Sequence, residues 1–252
     1  MQTLLDHVHW IEHFRRNQEK RDEPDWNADI VLPADTIRKL VKSLEQFELG
    51  DGGGPGYLIA WDREKFLQAP GNRELVDLWF QEEHEHSRLL GKLVQRFHGR
   101  SIQSHWSFAV FCAVRKWLGI RFELRTLLLT EIVSNVYYRL LHRYGNDPAL
   151  LQVCRLIIRD ETGHIAFHRD RLARRGSQHR RIYGYAWQML FKLMGLAAGT
   201  MLWVNHGPAL CQLGATTEEF YREILKDMSQ FIITLRRDVR AYATITPATI
   251  NG

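Results

Sequence analysis

Cysteine is scarce. Cys112, Cys154 and Cys211 are the only three in 252 residues, the count is odd, and none forms a C-x-x-C pair. That argues against a disulfide framework and fits a reducing compartment. The stretch Met1-Gln2-Thr3-Leu4-Leu5-Asp6-His7 lacks the basic-then-apolar pattern of a signal peptide, so the expected location is cytoplasmic. A long uncharged apolar run is also missing. The most apolar stretch, Tyr183 to Val204, holds Gln188 and Lys192, whereas a membrane span needs about 20 apolar residues with few or no charges. It reads as a buried bundle helix. The alternative is a helix lying on a membrane, or lining the entry to a greasy pocket. Period-2 alternation is absent almost everywhere, which leaves little room for β-strands. There is no flavin, nicotinamide, iron–sulfur or nucleic-acid motif either.

What is present is the profile of a soluble globular chain, with 45% apolar and 25% charged residues. The length suits one sizeable core, and no linker marks a boundary, so residues 1–252 read as a single domain. The net charge is +5, with a local basic cluster at Arg171, Arg174, Arg175, Arg180 and Arg181. Without a nucleic-acid motif beside it, this cluster reads as a solvated helix end rather than a nucleic-acid site.

Apolar spacing of 3.6 residues recurs along the chain and predicts an all-α fold. Helices are expected near Thr3–Gln18, Pro33–Leu49, Arg73–Phe97, Gln103–Trp117, Phe122–Tyr144, Ala149–Arg174, Ile182–Asn205 and Thr217–Tyr242. The run from Gly50 to Gly56 ends or distorts the second helix, and Tyr57 to Gln68 reads as its resumption. Asp147 and Pro148 supply a cap and a first-turn residue for the helix that follows. The tail from Thr244 looks loose.

Two short motifs repeat one pattern: an acid, then Glu, two residues, then His. They are Glu82-Glu83-His84-Glu85-His86 and Asp160-Glu161-Thr162-Gly163-His164. On a helix, Glu83 and His86 share a face, as do Glu161 and His164, and a carboxylate beside an imidazole can bind a transition metal. With 16 Glu and 12 His in the chain, roughly 0.8 such pairs arise by chance. Context therefore carries the weight. One seam runs Val76, Trp79, Glu83, His86, Leu90, Leu93, Phe97, and another runs Leu150, Cys154, Ile157, Glu161, His164, His168. In both, the polar pair occupies positions that should be core. A buried carboxylate without a partner is very unfavourable, so a cation between the two pairs is the economical reading; a buried ion-pair network is the bland one. Two more acids should come from the other core helices. Glu131 lies in the apolar run Leu127 to Val133. The seam Ile37, Leu40, Leu44, Phe47 projects onto Asp51, with Glu48 as the rival.

At these residues the sequence resembles the ferritin-like di-iron carboxylate superfamily, over about residues 35–175. That group includes ferritins, rubrerythrins, the small ribonucleotide reductase subunit, acyl-carrier-protein desaturases, bacterial multicomponent monooxygenases and N-oxygenases. Its pattern of acid, Glu-x-x-His, acid, Glu-x-x-His maps onto Asp51 (or Glu48), Glu83 and His86, Glu131, and Glu161 and His164. Asp in a Gly-rich segment replaces the usual first Glu. The resemblance implies a four-helix core with added N- and C-terminal helices. It also implies two iron ions, with manganese as the alternative, that reduce O₂ in order to oxidise a small or lipid-like organic substrate. Electrons would come from an external donor. Glu82 and Asp160 are expected to orient the histidine of the facing helix. His168 is an extra ligand or a supporting group, and Tyr138 a candidate catalytic residue beside Glu131. A ferroxidase or metal-storage role is the alternative function. A homodimer and peripheral membrane contact are left open.

Overall fold

A computed structural model describes residues 7–19, 21–52, 57–178 and 184–245. The described residues are all-α, with no strand among them. The helices are α1 (His7–Glu19), α2 (Ala34–Gly52), α3 (Arg63–Leu67), α4 (Asn72–Arg96), α5 (Trp106–Trp117), α6 (Ile120–Tyr144), α7 (Pro148–Gln178), α8 (Tyr185–Leu213) and α9 (Thr217–Ile245).

Several boundaries differ from the sequence reading, each for a local reason. The second helix runs on through Gly50 and Gly52, because Asp51 and its neighbours stay packed against α4. Its expected resumption over Tyr57–Gln68 shrinks to the five residues of α3, since the backbone N–H groups of Ile59 and Ala60 bond to Glu123 instead of continuing a helix. α8 continues through Pro208 to Leu213 and stops at Gly214, whose φ of +117° only glycine adopts freely. As expected, Asp147 caps α7 by accepting from Leu150 N–H at 3.0 Å. The expected starts at Thr3 and Ile182 and the loose tail beyond Ile245 lie outside the described residues, as do Arg180 and Arg181 of the basic cluster. In the same cluster, Arg174 is tied to Asp170 at 3.1 Å and covers the Tyr242 ring.

Four helices carry the architecture. α2 packs on α4, α6 on α7, and α4 on α7. Their apolar residues form two separate cores. The larger includes Leu40 and Leu44 of α2, Leu90 and Leu93 of α4, Ile132 and Val136 of α6, and Val153 and Ile157 of α7. The smaller gathers Trp79 and Phe80 of α4, Leu124 and Leu127 of α6, Phe167 of α7, and Trp10 and Phe14 of α1. Each fully buried Leu or Phe contributes about 1.5–3 kcal/mol. Along the chain, α2 and α7 run from the larger core toward the smaller, and α4 and α6 run the opposite way. Between the two cores, every one of the four helices places polar residues where packing would otherwise be apolar.

The remaining helices enclose this layer. α8 packs on α2 and α6, and α9 on α6, α7 and α8. α9 turns Phe220, Ile224, Met228, Phe231 and Leu235 inward at helical spacing. α1 lies against α4 and crosses α7 so closely that a Cβ on Gly163 would come within 2.6 Å of His13 Nε2. Among the described residues, no helix is long and apolar enough to cross a membrane.

Candidate metal centre

The polar layer contains Asp51 from α2, Glu82, Glu83 and His86 from α4, Glu131 from α6, and Asp160, Glu161 and His164 from α7. Two three-residue groups stand out. Asp51, Glu83 and His86 bring one ligand atom each to within 4.8 Å of one another, and so do Glu83, Glu131 and His164. Glu83 belongs to both groups. Glu161 lies between the two imidazoles, 3.9 Å from His86 Nδ1 and 3.9 Å from His164 Nδ1. All six residues of the sequence-derived ligand set therefore meet in one place.

Glu48, the rival of Asp51, turns elsewhere. It accepts from Ser101 Oγ at 2.6 Å and sits against Gly91. His168 is buried but belongs to neither group; its ring meets the edge of Trp79 and its Nδ1 lies 3.2 Å from Arg171. Tyr138 is buried on α6, and its hydroxyl has no hydrogen-bond partner.

Both histidines turn Nδ1 toward the carboxylates and Nε2 outward. His164 Nδ1 is 3.1 Å from Glu83 and 3.4 Å from Glu131, and His86 Nδ1 is 3.6 Å from Glu83. The outer nitrogens cross over: His86 Nε2 is 3.1 Å from Asp160 on α7, and His164 Nε2 is 2.9 Å from Glu82 on α4. A proton held on Nε2 by a carboxylate leaves the Nδ1 lone pair facing inward, as metal ligation requires. The residue before each Glu-x-x-His thus meets the histidine of the other motif.

A residue that the helical pattern did not reveal completes this outer ring. Arg21, from the segment between α1 and α2, lies 2.8 Å from Asp160 and 3.5 Å from Glu82. Trp79 Nε1 donates to Glu83 at 3.1 Å, and the Phe14 ring covers His164 with centroids 5.8 Å apart.

The electrostatics show a centre with too much negative charge for an apolar interior. Burial, then the charge of Glu83, pushes Asp51 well above the usual carboxylate range. Burial and then Glu131 do the same to Glu161. Burial would also raise Glu83, yet hydrogen bonds from His164 and His86 hold it low. For His86, burial opposes charging, but Asp160 and Glu83 prevail and push it up to about 10. His164 is raised in the same way, against burial, by Glu131, Glu82 and Glu83. Without another cation, the imidazoles must serve as the countercharges.

The donor set fits a pair of divalent metal ions. Asp51 Oδ2, His86 Nδ1 and Glu161 Oε2 are buried and make no hydrogen bond, although such atoms are rarely left without a partner. Four carboxylates with two neutral imidazoles balance the charge of two M²⁺ ions. Carboxylate oxygen mixed with imidazole nitrogen suits iron or manganese better than calcium.

The cluster opens onto a cavity of about 430 Å³. Asp51, Glu83, Glu131 and Glu161 form part of its wall; the rest is largely apolar, from Phe108 and Phe111 of α5 and Met194, Ala198 and Met201 of α8. Val110 and Val114, also on the wall, are part-exposed and mark an apolar rim on α5. Compared with known proteins, the chain matches no family model, no curated protein and no solved structure.

Proposed function

We propose that this chain is a non-haem di-iron oxidase or oxygenase, built on a ferritin-like four-helix core of α2, α4, α6 and α7, that uses O₂ to oxidise a small, largely apolar organic substrate. The observation that carries this reading is the junction itself: a carboxylate-rich cluster with inward-facing imidazoles forms one wall of an apolar cavity large enough for a ligand. A storage site needs no such chamber.

Asp51, Glu83, His86, Glu131, Glu161 and His164 would hold the metals, with Glu83 and Glu161 placed to serve both. When bound, the metal pair supplies the electrons that reduce O₂. Asp160 and Glu82 keep a proton on each outer imidazole nitrogen, so that Nδ1 stays a ligand. Phe14 and Trp79 cover the cluster on the side of the smaller core and exclude water there. The apolar wall admits the organic substrate from the α5–α8 side. The chain holds no electron carrier motif, so reducing equivalents come from a separate donor.

The test is anaerobic titration with Fe(II), followed by O₂ uptake measured with and without apolar organic compounds. Two irons per chain, and O₂ consumption that an organic compound accelerates while being oxidised, is the expected result. O₂ uptake tied only to Fe(II) oxidation, unaffected by any organic compound, would point to a ferroxidase instead.

A further inference from the structure

A second polar assembly lies on the cavity wall, away from the carboxylate cluster. Ser43 Oγ on α2 is 2.6 Å from the Tyr137 hydroxyl on α6 and 2.8 Å from His206 Nδ1 on α8. All three residues are buried, and Phe47 covers them, its ring centroid 4.4 Å from Tyr137 and 4.5 Å from His206. The chain of contacts ties three helices together through one serine.

Counting protons fixes the direction of each bond. Burial pushes the Tyr137 phenol up, so it keeps its proton. Ser43 Oγ is its one hydrogen-bond partner among the described residues, so the phenol donates to Ser43. The Ser43 proton then goes to its other neighbour, His206 Nδ1. A ring that accepts at Nδ1 and is neutral carries its proton on Nε2. Burial holds His206 down to about 3, so the ring is neutral across the physiological range. Its Nε2 has no partner among the described residues, and the ring is part of the cavity wall.

We propose that His206 Nε2–H is a fixed hydrogen-bond donor that selects, within this apolar cavity, ligands bearing an uncharged acceptor such as a ketone, aldehyde, ester or amide carbonyl. This rests on reading the cavity as the chamber for the organic substrate. Apolar walls bind the body of the ligand, and the one oriented donor sets which atom faces α8. A neutral imidazole offers no countercharge to an anion, and the same wall already holds Asp51, Glu83, Glu131 and Glu161. A carboxylate ligand is therefore disfavoured relative to its carbonyl counterpart.

The probes are 2-decanone and decane, titrated by calorimetry into the full chain as isolated. His206→Asn keeps an amide near the Nδ1 position but no donor at Nε2. His206→Gln places an amide donor near Nε2. The affinity for 2-decanone should fall about three- to tenfold in His206→Asn and recover in His206→Gln, while decane changes in neither. Equal 2-decanone binding in the wild type and His206→Asn would overturn the proposal, as would equal losses for both probes. Nitrogen-15 spectroscopy of the wild-type chain, freed of metal with a chelator, gives an answer even if a variant does not fold. An Nε2–H tautomer supports the proposal and an Nδ1–H tautomer ends it. None of these readouts depends on metal. Failure here leaves the metal assignment standing, and failure to bind two irons leaves the His206 result standing.

Discussion

Arg21 Nη2 stands 2.8 Å from Asp160 Oδ2, although one residue follows α1 and the other lies in the middle of α7. The same guanidinium nitrogen is 3.5 Å from Glu82. One cation thus serves both carboxylates that orient the two ligand histidines. Replacing it with Met, which keeps the length and removes the charge, leaves two buried carboxylates short of a countercharge. Arg21→Met should weaken metal binding about 10–100-fold, the usual penalty for losing such outer support. It should also destabilise the metal-free chain by about 3–5 kcal/mol. Competition titration with a metal indicator and urea denaturation check the two effects. Unchanged affinity would show that Glu82 and Asp160 hold the imidazoles without help.

The inner ligands should behave differently from the outer acids. Glu161→Ala and His86→Ala should each abolish stoichiometric binding of two irons while far-UV helicity stays largely intact, because the helices rest on the two apolar cores on either side. Asp160→Asn and Glu82→Gln should only weaken binding, by about 10–100-fold. Iron analysis after gel filtration separates the two classes. Two irons retained in either alanine variant would break the assignment.

Much of this arrangement is legible in the sequence because helices report their buried face at fixed spacing. Trp79, Glu83, His86 and Leu90 read as one seam, and the structure buries that seam between α2 and α7. The projection of Ile37, Leu40, Leu44 and Phe47 onto Asp51 also holds, since α2 keeps its winding through Gly50. What the pattern does not show is any partner brought in from far along the chain. Arg21 lies in an irregular segment, and nothing in its neighbourhood points to α7. Glu123, Arg115 and His206 sit in helices but act through contacts with loops or other helices, and those contacts have no periodicity. The failed resumption over Tyr57–Gln68 has the same origin, because the competing acceptor, Glu123, is more than 60 residues away.

Glu123 gives a prediction of its own. It is fully buried and accepts from Ile59 N–H at 2.9 Å, Ala60 N–H at 2.8 Å and Arg115 Nε at 3.0 Å. It therefore pins α5 and the segment before α3 to α6, which keeps the α5 wall of the cavity in place. Glu123→Ala leaves the buried Arg115 charge and two backbone donors unmet, and should cost about 3–5 kcal/mol in stability. Urea denaturation measures the loss, and amide exchange should show α5 opening first. A loss under 1 kcal/mol would mean that water replaces the carboxylate readily.

Blocking the cavity should separate ligand access from metal binding. Ala198 lines the α8 side of the chamber. Ala198→Phe adds a ring there without touching the carboxylate cluster. Oxidation of an apolar substrate should fall at least tenfold, since the near-reactive geometry depends on where the substrate sits. Iron stoichiometry should remain two per chain. Equal losses of iron and activity would show that the ring disturbs the cluster and not the chamber alone.

The buried state of His206 also fixes a pH dependence with a definite sign. Burial, then the charge of His105, holds the folded ring down to about 3, whereas in the unfolded chain an imidazole titrates near 6.5. Between those values the unfolded chain binds a proton that the folded chain refuses. Stability is therefore unaffected by this ring above about pH 7 and declines as pH falls through 6.5, by up to about 1.4 kcal/mol per unit. His206→Asn removes the titrating ring, while every other group still titrates in both proteins. From pH 7.5 to 5.5 the wild type should therefore lose about 1.4 kcal/mol more than His206→Asn, measured by urea denaturation of the metal-free chains. Parallel losses in the two proteins would mean that the folded ring takes up its proton as easily as the unfolded one, which a dry contact with Ser43 does not permit.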